Sequence, residues 1–199
     1  MNMAIDEVLL RGISTAPLLR VYRWTDPAVS FGYFVAHAEV RGQWPGRALV
    51  RRWTGGGIVP HGTDVTYTIV APAASALYAT DLVSSYQLIH GRIAQLLGEA
   101  TLAHSSTAKV SEACFENAAR HDVLLGGRKV AGAAQRRTRF GLLHQGSIQH
   151  VADANRISER LPHVFGSAGR RRTLTAEELK LAEEIAAARY AAGSWTTRR

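Results

Sequence analysis

Four stretches of this sequence gather residue types that do chemistry. The first reads Arg51-Arg52-Trp53-Thr54-Gly55-Gly56-Gly57-Ile58-Val59-Pro60-His61. Three consecutive glycines between two strands cost backbone entropy. They are useful where a backbone has to approach a ligand and offer N–H groups to phosphate or carbonyl oxygens. The two arginines ahead of them add positive charge for an anion. The plain alternative is a flexible loop with a basic flank. The stretch is neither a P-loop nor a dinucleotide fingerprint, because the spacing of both is missing. The second stretch runs from Asp122 through Gly126-Gly127-Arg128-Lys129 to Gly132-Ala133-Ala134-Gln135. Small residues on a strand leave room for a ligand against the backbone, and a lysine beside them can hold a carbonyl or phosphate oxygen. The plain alternative is a solvated hairpin lysine. The third is Cys114, in Ser111-Glu112-Ala113-Cys114-Phe115-Glu116. Most free cysteines are buried and inert, whereas a catalytic thiol is partly exposed and has a cation or a helix N-terminus nearby. The fourth is His144-Gln145-Gly146-Ser147. The eight histidines lack the His-Glu-x-x-His spacing and the chain has one cysteine, so no metal site is expected.

The elements that must position these residues are legible from pattern. Met3, Ala4, Val8 and Leu9 share a face of an opening helix that Gly12 stops. Leu18 to Trp24, Ala28 to Phe34 and Ala48 to Arg52 read as strands, the last running into the glycine loop. Residues 65–70, Val-Thr-Tyr-Thr-Ile-Val, form the clearest strand. Asp81 caps an amphipathic helix carrying Leu82, Tyr86, Ile89, Ile93 and Leu96 and ending at Gly98. Val123 to Leu125 and Lys129 to Ala133 make a hairpin, and Phe140 to His150 another strand. Thr175 with Glu178 is a capping box for a last helix reaching about Tyr190. Gly166 to Arg172 reads as a short linker. The strict βαβ alternation of a doubly wound fold is missing. The expectation is an α+β fold, a mixed and mainly antiparallel sheet covered by helices.

Composition narrows the class. The chain has 199 residues, 46% of them hydrophobic and 20% charged, an ordinary globular mix long enough for a core and expected to form one domain over 1–199. A disulfide scaffold and a multi-cysteine zinc module are excluded by the single cysteine. The net charge of +8 suits nucleic acid, an anionic membrane, a phosphorylated ligand or an acidic protein. No apolar run has the length of a membrane span. Asp6 and Glu7 interrupt the first apolar stretch, which no secretory signal does. A cytoplasmic location with a reduced thiol is the simplest expectation.

Taken together, the four stretches resemble one family. Arg-Arg-x-Thr-Gly-Gly-Gly-x-Val-x-His at 51–61, Asp122 with Gly-x-Lys-x-x-Gly-x-Ala-Gln at 127–135, and His-x-Gly at 144–146 look like the superfamily of lipoate–protein ligase A, octanoyltransferases and biotin ligases. Asn2 to Glu7 and the ending Tyr190 to Trp195 match as well, in the family order. The resemblance implies the α+β biotin/lipoate ligase catalytic-domain fold. It implies a tunnel for a medium-chain acyl group and transfer of that group to one lysine of a small carrier domain. Carried over, Arg52, Thr54, Gly55, Gly56, Gly57 and His61 form the glycine-loop side of the pocket. Lys129 contacts the acyl carbonyl or an adenylate phosphate, and Asp122 lies near the adenylate site of the ligases. Gly132, Ala133 and Ala134 line the acyl channel, and His144 and Gly146 close its far side.

The family divides by how the acyl group is activated. Ligases use ATP and Mg to make an acyl-adenylate. Transferases take the group from acyl carrier protein and hold it as a thioester on a cysteine, in a Cys-Phe segment ahead of the Gly-x-Lys hairpin. Cys114-Phe115 lies fifteen residues before Lys129. The resemblance therefore implies an octanoyl or lipoyl transferase with Cys114 and Lys129 as its catalytic pair and no required cofactor. The small ATP-dependent ligase is the alternative. The implied donor is octanoyl-acyl carrier protein. The implied acceptor is a lipoyl carrier domain, of glycine cleavage H protein or a 2-oxoacid dehydrogenase subunit. Nucleic acid and membrane are not expected as partners. Three features depart from the pattern. The strand that usually precedes the first helix and the accessory C-terminal domain of the long ligases have no counterpart here, the latter favouring a transferase. Ala133 replaces a frequent serine and its hydrogen bond. Two other classes remain beside the enzyme: a nucleic-acid module using Arg136-Arg137-x-Arg139 and Arg170-Arg171-Arg172, and a non-catalytic carrier-binding relative.

Overall fold

A computed structural model describes residues 1–13, 15–105, 118–166 and 169–198. Two sheets form the frame, where the sequence pattern suggests one. The larger has six antiparallel strands in the order β1-β5-β9-β8-β7-β6: β1 Leu18–Tyr22, β5 Val65–Pro72, β6 Thr101–Leu102, β7 Val123–Leu125, β8 Arg128–Thr138 and β9 Gly141–Ile148. The smaller has three, β2 Ala28–Phe31, β3 Ala48–Arg51 and β4 Ile58–His61, with β2 between a parallel β3 and an antiparallel β4.

Strand β5 organises the large sheet, and all eight of its residues are buried. Its side chains alternate between two environments, as the strand period requires. Val65, Tyr67 and Ile69 pack in one core with Ile89 and Ile93 of helix α4 (Leu82–Leu97) and Leu161 of α5 (Ala154–Phe165). Val70 faces the other way, with Met3, Ala4 and Leu10 of α1 (Asn2–Gly12). Each fully buried Ile or Leu here contributes roughly 1.5–3 kcal/mol. The expected signals at the ends of α4 are present. The Asp81 carboxylate accepts from the Ser84 N–H, and Gly98 takes a left-handed φ of 83°.

The capping box of Thr175 and Glu178 opens α6 (Ala176–Ile185), which continues into a π-helical turn, Ala186–Tyr190, and a short α7 (Gly193–Thr196). Two further helices have no clear sequence signal. Helix α2 (His37–Gln43) carries only Val40 into the small core with Val29, Phe31 and Ile58. Helix α5 contains Pro162, which argues against a helix interior, yet Asp153 caps it and Leu161 anchors it. A single turn, α3 (Ala76–Ala79), precedes α4. Strand β2 ends at Phe31 rather than Phe34. A Cβ on Gly32 would lie 1.9 Å from the Gly56 carbonyl oxygen, so the chain crosses the glycine loop in backbone contact.

No helix among the described residues is long and apolar enough to cross a membrane.

Candidate active site

A cleft opens between the two sheets. Its floor is the large sheet, through Thr66, Gln145, Gly146, Ser147, Gly132, Ala133 and Ala134. Its roof is the small sheet and the glycine loop, through Ser30, Arg52, Gly56, Val59 and His61. Met3, Tyr22 and Trp24 complete the wall.

The floor has a definite register. Tyr22 of β1 pairs with Thr66 of β5, Thr66 with Ser147 of β9, and Ser147 with Gly132 of β8. One row of residues therefore crosses four strands. Side-chain size along it rises from nothing at Gly132, through two small hydroxyls, to the Tyr22 ring.

The glycine loop is held from both sides. The Arg52 guanidinium donates to the carbonyls of Gly55 (3.0 Å) and Gly57 (2.8 Å) and to Ser30 Oγ (2.9 Å). Gly56 sits between them with φ of 79°, a conformation that a side chain would strain. The Thr54 hydroxyl donates to Gln145 Oε1 at 2.8 Å, and Gln145 Nε2 donates to the buried Asp6 carboxylate at 2.7 Å. Asp6 in turn accepts from Arg20 and Thr68. Arg51, by contrast, turns away from the cleft. Its fully buried guanidinium donates to the carbonyls of Tyr33, Val35, Trp195, Thr196 and Arg198. Of the expected pair of anion-facing arginines, Arg52 lines the cleft and Arg51 is a structural tie.

His61 lies under Trp24, its ring stacked at 4.3 Å from the indole. Its Nδ1 is 2.8 Å from Asp64 Oδ2 and its Nε2 is 2.6 Å from Ser30 Oγ. Burial holds the His61 pKa below its ordinary value, against the pull of Asp64. Burial also pushes the Asp64 carboxyl up, but hydrogen bonds from His61, Ser147 and the Gly62 N–H outweigh it and bring the carboxyl to about 2. The ionised Asp64 carboxylate can only accept, so the His61 Nδ1–H points at it, and in the neutral imidazole Nε2 then accepts from the Ser30 O–H.

The expected lysine is at the other end of the floor. Lys129 Nζ and Asp122 Oδ2 form a buried ion pair at 2.7 Å, and Asp122 also accepts the Ala119 N–H. The lysine chain lies against Gly132: a Cβ there would come within 2.7 Å of Lys129 Cε and 3.0 Å of Nζ. Of the expected residues, Arg52, Gly56, His61, Gly132, Ala133, Ala134 and Gly146 line the cleft. Thr54, Gly55 and Gly57 support the loop, and Lys129 and Asp122 adjoin Gly132.

His144 does not close the cleft. It lies under α4, with Tyr67 Oη at 3.2 Å from its Nε2 and Gln135 Nε2 donating to its Nδ1 at 2.9 Å. Tyr86 and His90 of α4 pack around it, and burial holds its pKa well below the ordinary value. Gly146 shares that side of the strand: a Cβ on it would meet the Tyr67 ring at 2.2 Å. It contributes backbone to the cleft floor instead. Cys114 lies outside the described residues.

The arginine clusters take part in the fold. Arg136 donates to the Trp53 carbonyl and stacks on Trp53 and Tyr33. Arg137 donates to the carbonyls of Tyr78 and Thr80. Arg172 pairs with Glu178 at 2.8 Å. Sequence reasoning assigns no individual site role to Ser30, Asp64, Gln145, Asp6, Tyr22 and Trp24. The available signal is polar residues inside apolar strand runs, such as Ser30 within Ala-Val-Ser-Phe.

Comparison with known proteins agrees with this geometry. Octanoyltransferase LipM of Oceanobacillus iheyensis is 39% identical over 159 residues, which are 74% of this chain and 58% of that protein. Octanoyltransferase LipM of Moorella thermoacetica is 36% identical over 164 residues, 74% of this chain and 59% of its own. The chain thus spans under two thirds of the length of these relatives. The fold matches a crystal structure of lipoate-protein ligase A bound with ATP, with TM-score 0.78 and 21% identity over 98% of this chain and 92% of that one. It also matches the bi-partite lipoate protein ligase of Thermoplasma acidophilum, with TM-score 0.70 and 22% identity over 98% and 90%. The lipoyl protein ligase A/B catalytic domain matches residues 1–174 of this sequence, and the chain belongs to that family.

Proposed function

We propose that this protein is an acyltransferase that moves an octanoyl or lipoyl group from acyl carrier protein to the lysine of a lipoyl carrier domain, through a thioester on Cys114. The observation that carries the reading is the cleft. It has a floor of small and hydroxyl-bearing residues, a polar glycine-loop roof and a buried lysine amine against Gly132 at one end. The similarity to octanoyltransferases and the position of Cys114-Phe115 in the sequence support the covalent route.

In this reading the Cys114 thiolate attacks the carbonyl carbon of the donor thioester. A carbon–sulfur bond forms and the carbonyl becomes an oxyanion. The oxyanion collapses, the donor carbon–sulfur bond breaks, and the carrier thiolate leaves and takes up a proton. The acceptor amine then attacks the Cys114 thioester, forms the amide, loses a proton and expels the Cys114 thiolate. The first step exchanges one thioester for another and the second runs downhill, so neither ATP nor Mg is required. Lys129 and the loop N–H groups are the donors for the two oxyanions, an effect worth about 3–4 kcal/mol for a well-placed donor. Arg52 keeps the loop carbonyls of Gly55 and Gly57 on itself and so holds the loop against the cleft.

The test is intact-mass analysis after mixing with octanoyl-acyl carrier protein. The expected result is one octanoyl adduct, absent from Cys114→Ala and discharged by a lipoyl carrier domain. Full transfer by Cys114→Ala would overturn the covalent route. Transfer that occurs only from free acid with ATP would assign the ligase reaction instead.

A further inference from the structure

The lysine end of the cleft is held from the helix layer behind the sheet. We infer that His90 of α4 is a positioning residue for Lys129, acting through the His121 carbonyl and the Asp122 carboxylate. The inference rests on the acyl-transfer reading for its consequence in catalysis, and on the hydrogen bonds alone for the positioning.

Regular sheet pairing does not aim Asp122. It lies one residue before β7, and the pairing of β7 with β8 is irregular between Val123 and Leu124. An irregularity of this kind re-aims the side chains around it. A turn takes over. The Asp122 N–H donates to the Ala119 carbonyl at 2.9 Å, and the Asp122 carboxylate accepts the Ala119 N–H at 2.7 Å. The third residue of this turn is His121, with a left-handed φ of 70°. A turn with that conformation at its third position favours glycine or asparagine, because other side chains are strained there. His121 keeps it with both backbone groups tied. Its N–H donates to the Ala103 carbonyl at 2.8 Å, and its carbonyl accepts from His90 Nδ1 at 2.6 Å. The His121 carbonyl and the Asp122 N–H belong to one planar peptide group. His90 and Ala119 therefore fix the plane from which the Asp122 carboxylate reaches Lys129 Nζ at 2.7 Å.

Stability alone does not explain a histidine at position 90. The ring is fully buried, with Tyr86 and His144 at centroid distances of 5.6 and 5.7 Å. Burial holds its pKa below the ordinary value, so the ring is neutral at pH 7. A carbonyl only accepts, so Nδ1 carries the proton and Nε2 is a bare acceptor. Among the described residues nothing donates to that Nε2. An unpaired buried nitrogen costs stability, and a phenyl ring of similar size carries no such cost. What the imidazole supplies in return is its bond to His121.

The test is trace acetylation of the native protein with an N-hydroxysuccinimide ester. Peptide mass spectrometry gives the labelling ratio of Lys129 to the exposed Lys180. Single-turnover acylation from octanoyl-acyl carrier protein is measured in parallel. His90→Phe keeps a ring and loses the donor, whereas His90→Asn keeps an N–H near the place of Nδ1. In His90→Phe the ratio is expected to rise about tenfold and the acylation rate to fall about tenfold, the size of coupling between contacting groups. His90→Asn is expected to stay within about twofold of the wild type in both. In a Lys129→Met, Asp122→Asn background, His90→Phe is expected to change the rate no further, because its effect runs through that pair. Leu161→Ala loosens the core beneath α4 and controls for destabilisation alone; its ratio is expected to stay at the wild-type value. An unchanged ratio in His90→Phe, an equal rise in His90→Asn or Leu161→Ala, or an additive loss of rate in the double background overturns the inference. If thermal melts show His90→Phe unfolded, His90→Gln takes its place under the same expectations, since its amide matches Nε2 instead of Nδ1. No transfer by any of the proteins, with the ratios as expected, would discard the acyl-transfer reading and leave the positioning standing.

Discussion

Ser30 Oγ lies 2.6 Å from His61 Nε2, and this contact joins the roof of the cleft to a buried carboxylate beneath it. From Arg52 the chain of donors runs through Ser30 and His61 to Asp64, which also accepts from Ser147 and Thr66. The arrangement resembles a serine triad in its distances. Here, however, the serine oxygen is occupied by a guanidinium and the array holds the glycine loop. Its consequences are measurable.

Asp64→Asn removes the charge that four donors share. The expected cost is about 3 kcal/mol of stability, seen as a lower urea midpoint. The pH dependence has a definite sign. The folded carboxyl lies at about 2, below its ordinary 3.8, so its contribution is complete above that value and is lost as pH falls toward 2. The Asn variant is expected to lack ~2 kcal/mol of this acid sensitivity, and an unchanged acid limb would count against the network.

Burial lowers the pKa of His144 and His61, so the folded protein refuses protons that the unfolded chain accepts below about 6.5. Stability therefore decreases as pH falls from 7 toward 5. Each such histidine contributes a slope of at most ~1.4 kcal/mol per pH unit. His144→Gln keeps a polar group between Tyr67 and Gln135 and is expected to flatten the slope. Melting temperatures across that range give the answer.

Lys129→Met strands the buried Asp122 carboxylate. The expected loss is about 3–5 kcal/mol of stability. Lys129→Met with Asp122→Asn recovers much of it. Transfer in the double variant stays depressed by roughly 10²–10³ if the amine stabilises the oxyanion. Stopped-flow acylation rates beside urea curves separate the two roles, and a double variant that recovers both would make the lysine structural.

Glu7 is buried and accepts from Arg11, Arg189 and Tyr190, tying α1 to the π-helical turn. Glu7→Gln is expected to cost about 2–4 kcal/mol. It is also expected to raise amide exchange in the C-terminal turns ahead of global unfolding. Exchange that rises only with global unfolding would show that this tie is not local.

Local signals made much of the fold readable. Asp81 and Gly98 bound a helix by cap chemistry, and Val65 to Val70 has a strand's composition, because both depend on neighbours in sequence. The division into two sheets was not readable, since it follows from the close crossing of Gly32 over Gly56. Helix α5 was hidden by Pro162, which tertiary packing of Leu161 overrides. In the site, motif residues around the loop were visible as a cluster. The face of His144 was not, because a strand's period places it with Gly146 but does not say which face meets the cleft. Trp24 lies just beyond the end of β1, and its part in the wall depends on strand pairing that no local pattern encodes.

The floor of the cleft is read across strands, not along one. Neighbouring carbons of a bound chain would meet residues separated by tens of positions in sequence, each delivered by a different strand. Such a surface can be revised one strand at a time. A change of preferred ligand requires a substitution at a single address and leaves every loop, cap and hairpin as it was. A slip of one residue in any of the three pairings would erase the surface altogether. Selectivity in this domain is therefore cheap to vary by substitution and costly to vary by insertion.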